Sequence, residues 1–452
     1  MNRVQQLATV LGEVEGSELS IGRIRISDIA ERVSTPFYVY SGEALQEKVH
    51  RVRAALGEET AVYFSLKANP SLALCQILAR EGVGAELASI GELHLAQRAG
   101  FPARRVIFAG PGKTEAELEF AIQWGIESIN VESVGELERI AKIATARDRC
   151  VRVCLRINPS EQVKGAQMRM TGGPSQFGID EEQVPSVLDR FGTHPNLRIV
   201  GIHVYVGSQL FDIPAVLAHC HNVLRLGEAV SARMGRPLEV IDFGGGFAVP
   251  YFENSPEFDL EGFSHGYREV LVRMRQTPSL ADARPIIELG RYLVAEAGLY
   301  VTRVVDVKTS RGVIFAVTDG GMNHHITATG NFGQVFRKPY PVAVLNRMTE
   351  SNSTLTNVVG PCCTPLDVIG QQLSLPEVAP GDLIGIFYSG AYGYSASSLG
   401  FLSHPTPAEA LVYRGQLHIL RPPGAPDDVV TGQRDLEASE SASSAARRSR
   451  VL

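Results

Sequence analysis

The residues of this sequence that could do chemistry fall at the ends of apolar runs. Lys67 closes the run Val62–Leu66 in AVYFSLKAN. A lysine there is either a solvated strand end or an amine whose pKa burial depresses, fit to form a Schiff base. Gly244, Gly245 and Gly246 follow LEVIDF. Three glycines make a tight turn, or let backbone amides approach an anion such as phosphate. They match neither the GxGxxG fingerprint nor a P-loop, which disfavours nucleotides. Glu288 lies in PIIELGRYLVAEAG with Arg291 three residues on. The two read as an ion pair, or Glu288 reads as a carboxylate that keeps a pyridine nitrogen protonated, so that the ring draws electrons. His203 and Tyr205 in GIHVYVGSQ share a strand face by their period-two spacing, where they either stack on a flat ring or fill an interior. Ser208 offers a further phosphate contact. A Schiff-base lysine, a phosphate cradle and a pyridine carboxylate are together what pyridoxal 5'-phosphate (PLP) needs.

The elements that must position these residues alternate. Runs at 61–69, 83–89, 105–110, 128–133, 151–159, 198–209, 238–247 and 284–291 read as strands buried on both faces, with helix-like segments between them. Such alternation predicts a parallel sheet, and eight units over residues 45–300 predict an α/β fold built on a closed (β/α)8 TIM barrel. An open doubly wound sheet is the other architecture. Residues 301–426 are β-rich and turn-punctuated, which predicts a C-terminal antiparallel β-sandwich or β-barrel domain. Residues 1–44 are expected to contribute strands to that domain, and the Ser/Ala/Arg-rich segment 427–452 reads as a disordered tail.

Composition narrows the function. With Lys+Arg 43 against Asp+Glu 49, the net charge of −6 and the absence of a dense basic patch exclude a nucleic acid held by bulk electrostatics. No apolar run reaches the ~18 residues of a membrane span. The opening MNRVQQLATVLGEVEGSELS lacks the build of a signal peptide, so a cytoplasmic location is expected. Six cysteines are too few for a disulfide framework, and neither they nor the pairs His219/His221 and His324/His325 have zinc spacing, so no metal is expected.

In order along the chain, YFSLKANP, GAELAS, GIHVYVGSQ, the GGG turn, ELGR, GPCCTPLD and SGAYG resemble the fold-type III PLP-dependent decarboxylases. This is the alanine-racemase-like group of diaminopimelate, ornithine and arginine decarboxylases, and the resemblance covers roughly residues 35–425. It implies that Lys67 anchors PLP and that Glu86 lies near the cofactor. Ser208, Gly244, Gly245 and Gly246 would bind the phosphate, with Gly290, Arg291 and Tyr392 lining the same pocket. Glu288 would face the pyridine nitrogen. Cys363 matches a catalytic cysteine that reaches the site from the partner subunit and protonates the product carbanion, so the resemblance implies a homodimer with shared sites. Three positions depart from the family. Tyr205 stands where a ring-stacking histidine is usual, leaving the stacking to Tyr205 or His203. Leu289 replaces a proline. Thr364 replaces the acid that binds a substrate's far end, and Arg291 and Thr364 are the candidate substrate contacts.

A narrower likeness, carried by GPGK, GGGFAVPYF, DGGMNHH and HPTPAE as well, is to the secondary-metabolite subgroup that decarboxylates amino acids tethered to an acyl carrier protein, such as the glutamyl-carrier decarboxylase of the butirosin pathway. A thioester at the far end needs no carboxylate at Thr364, whereas a buried distal ammonium does. The expected reaction is decarboxylation of a glutamyl- or aspartyl-type carrier-bound substrate. Lys113, Arg337 and Lys338 are candidates for contacting the acidic carrier. Decarboxylation of a free amino acid and a catalytically silent PLP-binding relative are the alternatives; the intact Lys67, Glu288 and Cys363 argue against the latter.

Overall fold

The computed structural model describes residues 2–160, 168–169, 173–330, 338–351 and 353–436. Eight parallel strands close into a barrel: Ala61–Ser65, Gly84–Leu87, Val106–Phe108, Ser128–Val131, Val151–Asn158, Leu197–His203, Val240–Gly245 and Arg284–Leu289. The last pairs with the first, Glu288 opposite Tyr63, which makes the sheet a closed one. The short strand Ile179–Asp180 adds to the outside of Val151–Asn158. The strands' apolar side chains are buried because one face fills the barrel and helices cover the other.

The helices are punctuated by their own sequence. Ser89, Ser133, Asp212 and Asp259 cap N-termini with side-chain oxygens, and Thr114 with Glu117 forms a reciprocal capping box. Gly100, Gly125 and Gly235 end their helices in the left-handed conformation.

The chain leaves the barrel through the short helix Arg291–Val294 and enters the long strand Gly298–Ser310 of a second sheet. Its order is Val368–Leu375, Thr354–Val359, Val313–Thr318, Gly298–Ser310, Phe37–Ser41, Ala408–Tyr413 and Gln416–Arg421, with Leu383–Ile386 joining Gly298–Ser310 to Val342–Val344. Two of its pairings are parallel, so the sheet is mixed rather than purely antiparallel. Of the N-terminal strands only Phe37–Ser41 joins this sheet, in its interior, whereas Glu13–Glu15, Glu18–Ile21 and Ile24–Arg25 pair into a separate three-stranded sheet, which corrects the expectation for residues 1–44. The segment Pro426–Val430 forms a 3-10 turn, and residues 437–452 lie outside the described residues.

The two parts meet at the lysine. Tyr392 N donates to Ala68 O at 2.8 Å, and Asn69 Nδ2 donates to Gly390 O at 2.9 Å. The turn carrying Lys67 is thus held by the loop carrying Tyr392. Among the described residues no helix is long and apolar enough to cross a membrane.

Candidate active site

At the C-terminal ends of the barrel strands lies a cavity of about 440 Å³. Lys67, Glu86, His203, Tyr205, Ser208, Gly246, Glu288, Gly290, Arg291 and Tyr392 all line it. These residues, far apart in sequence, thus converge on one cavity. Register explains why: Glu86 lies opposite Ser65, Asp242 opposite His203, and Gly245 opposite Glu288, so neighbouring strand ends deliver their polar residues at one level.

Lys67 sits in a 3-10 turn just beyond its strand, and its Nζ lies 3.2 Å from a Glu86 carboxylate oxygen. The side chain keeps 47% of its surface, turned toward the cavity. Burial acts to lower the ammonium pKa, but the Glu86 charge, with Tyr392, Tyr205 and Glu288 around it, outweighs burial and raises it. This reverses the depressed pKa expected of a lysine in an apolar setting. Nζ lies 5.9 Å from the centre of the Tyr205 ring, and burial pushes the Tyr205 phenol up to about 12.

The floor is a buried trio. His203 Nε2 lies 3.4 Å from a Glu288 oxygen, and His203, Asp242 and Glu288 each bring one potential ligand atom to within 4.8 Å of the others. Glu288 thus pairs with His203 rather than with Arg291. Burial opposes its ionisation, but His203 and Lys67 hold it well below the carboxylate range. Asp242 is pushed up by burial and by the Glu288 charge, while its other oxygen accepts from Gly244 N at 3.0 Å. Arg291 lies against two rings, its guanidinium carbon 4.8 Å from the Tyr392 ring centre and 5.9 Å from that of Tyr251.

The three glycines divide their work. A Cβ on Gly244 would meet Val204 O, and one on Gly245 would meet Glu288 O at 1.6 Å, so these two let strands pack closely. Only Gly246, at φ +94°, faces the cavity. Cys363 is exposed and Thr364 is half-buried, and neither lines the cavity of its own chain. The neighbouring Cys362 is buried, its thiol pushed up to about 12, first by burial and then by Asp367.

Lys113 does not lie on the surface as expected of a carrier contact. It is buried and paired with Glu136 at 2.7 Å, because its flexible stem folds back under the GPGK loop. Lys338 is exposed and lies 5.7 Å from the Phe252 ring centre, and Arg337 falls outside the described residues. Two residues at this end of the barrel escaped the sequence reading. Asp242 and Arg156 are both charged residues near the end of an apolar strand, the same signal that singled out Glu288.

The residues fit PLP. Among the described residues, His203 Nδ1, Ser208 Oγ, Asp242 Oδ2 and Glu288 Oε1 are buried with no hydrogen-bond partner. Such atoms are costly unless a ligand completes them. The donor set, with an ionised carboxylate at the floor, a hydroxyl and glycine backbone at one wall and a lysine at the rim, suits a phosphorylated pyridine aldehyde.

Comparison with known proteins agrees. Residues 43–295 match the family model for the pyridoxal-binding domain of pyridoxal-dependent decarboxylases, and the chain belongs to this family of PLP enzymes. It is similar to the L-glutamyl-[BtrI acyl-carrier protein] decarboxylase of Niallia circulans, at 37% identity covering 93% of this chain and 99% of that one. It is 30% identical to the diaminopimelate decarboxylase of Zymomonas mobilis, over 94% of this chain and 98% of that one. The crystal structure of the M. jannaschi diaminopimelate decarboxylase superposes with a TM-score of 0.87 at 25% identity, covering 95% of this chain and 99% of that one.

Proposed function

We propose that this PLP-dependent decarboxylase removes the α-carboxylate of an amino acid presented as a thioester on an acyl carrier protein, of glutamyl or aspartyl type. The observation that carries this reading is the loop around Cys363. Its one carboxylate, Asp367, is buried and spent on the backbone N–H groups of Met322 (2.6 Å) and Cys362 (2.8 Å). With Thr364 uncharged, the loop holds no acid that could neutralise a distal ammonium, which disfavours ornithine, lysine or diaminopimelate. The similarity to a glutamyl-carrier decarboxylase supports the same substrate class.

The chain's residues divide the work. Bound PLP supplies an electron sink for the bond pair left when carbon dioxide departs. Lys67 would anchor its aldehyde carbon, and Glu288, held anionic by His203 and Lys67, would keep a proton on the ring nitrogen. Ser208 Oγ, the Gly246 backbone and Arg291 would hold the phosphate, and Tyr205, beside Lys67, would contact the ring. Exclusion of water by the buried floor favours loss of a charged carboxylate. Cys363 is exposed on its own subunit and returns a proton to the substrate α-carbon in the site of a second copy, which makes the working unit a homodimer.

The test is carbon dioxide release and intact-mass analysis of glutamyl- and aspartyl-loaded carrier protein, beside free glutamate, ornithine and diaminopimelate. Decarboxylation of a loaded carrier at a kcat/KM well above any free amino acid is expected. Equal or better turnover of a free amino acid overturns the reading.

A further inference from the structure

Beside the cavity runs a row of buried charges that the reaction as described does not use. It begins at Lys113, whose three ammonium protons go to Gly110 O (2.7 Å), Asn130 O (2.9 Å) and Glu136 Oε1 (2.7 Å). Glu136 Oε2 accepts from the backbone N–H of Glu132 at 3.3 Å. Glu132 Oε1 in turn accepts from Gly110 N (2.7 Å) and from Arg156 Nη1 (2.5 Å), and its Oε2 accepts from Gly178 N (2.9 Å). Arg156 ends the row. Its guanidinium carbon lies 4.8 Å from the Phe177 ring centre, and it lines the cavity together with Gly110 and Gly112. Gly110 is therefore gripped at its carbonyl by Lys113 and at its N–H by Glu132, two members of the same network.

The side chains of Lys113 and Glu136 are each 1% exposed. A pair this deep adds less stability than an apolar pair of the same volume, because desolvating both charges consumes most of the attraction. Stability alone does not account for it, and its hydrogen bonds run through Glu132 to Arg156 at the cavity. We propose that Lys113 and Glu136 are positioning residues: they fix Glu132 and the Gly110 turn, and so aim the free edge of Arg156 at an anionic oxygen bound in the cavity. The proposal rests on that cavity being the PLP site, and it is independent of whether the substrate is carrier-bound. Arg156 is the residue that touches the ligand, and the oxygen belongs either to the cofactor ring or to a substrate carboxylate.

The experiment replaces the pair by an apolar one, Lys113→Met with Glu136→Met, in the holoenzyme. The melting temperature reports folding, while the cofactor absorbance band and PLP affinity are read without any substrate. Removing the row is expected to keep a cooperative melt and to lower kcat about 10-fold. A shifted absorbance band with weaker PLP binding assigns the oxygen to the cofactor. An unchanged band with KM raised instead assigns it to the substrate. Arg156→Lys should cost much less in the double variant than in the wild type, since the aim of Arg156 is already lost. An unchanged band, PLP affinity, kcat and KM in the folded double variant overturn the proposal. Should that variant not fold, Glu136→Gln keeps the shape and removes the charge, and wild-type values of all four quantities overturn the proposal there too. Failure of the wild type to bind PLP would instead sink the reading of the cavity itself.

Discussion

Two buried clusters of polar groups in this molecule look alike in sequence and differ in bookkeeping of hydrogen bonds. In the second sheet's loops, His324 and His325 are buried, and every ring nitrogen is partnered. His325 meets Ser389 Oγ at 2.9 Å and Thr327 Oγ1 at 3.0 Å, while His324 meets Pro405 O at 3.0 Å and Tyr300 Oη at 3.4 Å. On the barrel floor, His203, Asp242 and Glu288 are as deeply buried, yet each keeps at least one atom with no partner among the described residues. A satisfied cluster is a structural joint. The floor differs in that His203 and Glu288 line the cavity, where a bound group would recover their desolvation cost.

Substitutions sharpen that contrast. The largest expected effect is at Lys67. Lys67→Ala should lower kcat by on the order of 10³-fold or more, and borohydride reduction followed by peptide mapping should lose its PLP adduct. An adduct on another lysine would remove Lys67 from its role. Next is Glu288→Gln, which keeps shape but cannot hold the ring nitrogen protonated by charge. A fall in kcat of about 10²–10³-fold is expected, with a shifted cofactor absorbance band. Wild-type turnover and spectrum would return Glu288 to a mere ion pair with His203.

The smallest effect concerns the satisfied cluster and is one of stability alone. Burial lowers the His324 pKa to about 4 and the His325 pKa to about 3. Between pH 6.5 and those values the unfolded chain takes up protons that the folded chain refuses, so stability falls as pH falls through this window. His325→Gln should remove up to ~1.4 kcal/mol per pH unit of that acid-side slope, with cofactor binding unchanged. Urea melts at pH 7, 6 and 5 that leave the gap between wild type and variant constant would show that His325 is not held neutral.

Much of this was readable along the chain. The barrel was legible because eight apolar runs buried on both faces have few other solutions than a closed parallel sheet covered by helices. Lys67 and Glu288 stood out because a charged residue closing an apolar strand in a barrel lies where strand ends converge, whereas Glu86 was singled out only through the family resemblance. Asp242 carried the same signal but was hidden by the glycines after it, and Arg156 by the alternating arginines of VRVCLRIN. Lys113 misled because GPGK resembles an exposed loop. Only the packing of its loop over the strand ends Phe108 and Asn130, with Glu136 rising from the next helix, takes its ammonium out of water.

The order of residue types along the chain was enough for the fold and the cofactor, and for setting Lys67 at a strand end, because strand period and strand-end position are local properties. The three-dimensional structure alone decided which charges pair, which glycine faces the ligand, and which buried atoms are left open. Those outcomes depend on register between separate strands: Asp242 acts on Glu288 only because Val240–Gly245 pairs alongside Arg284–Leu289. Hydrogen-bond satisfaction belongs to a neighbourhood, and the neighbourhood exists only once the chain has closed on itself.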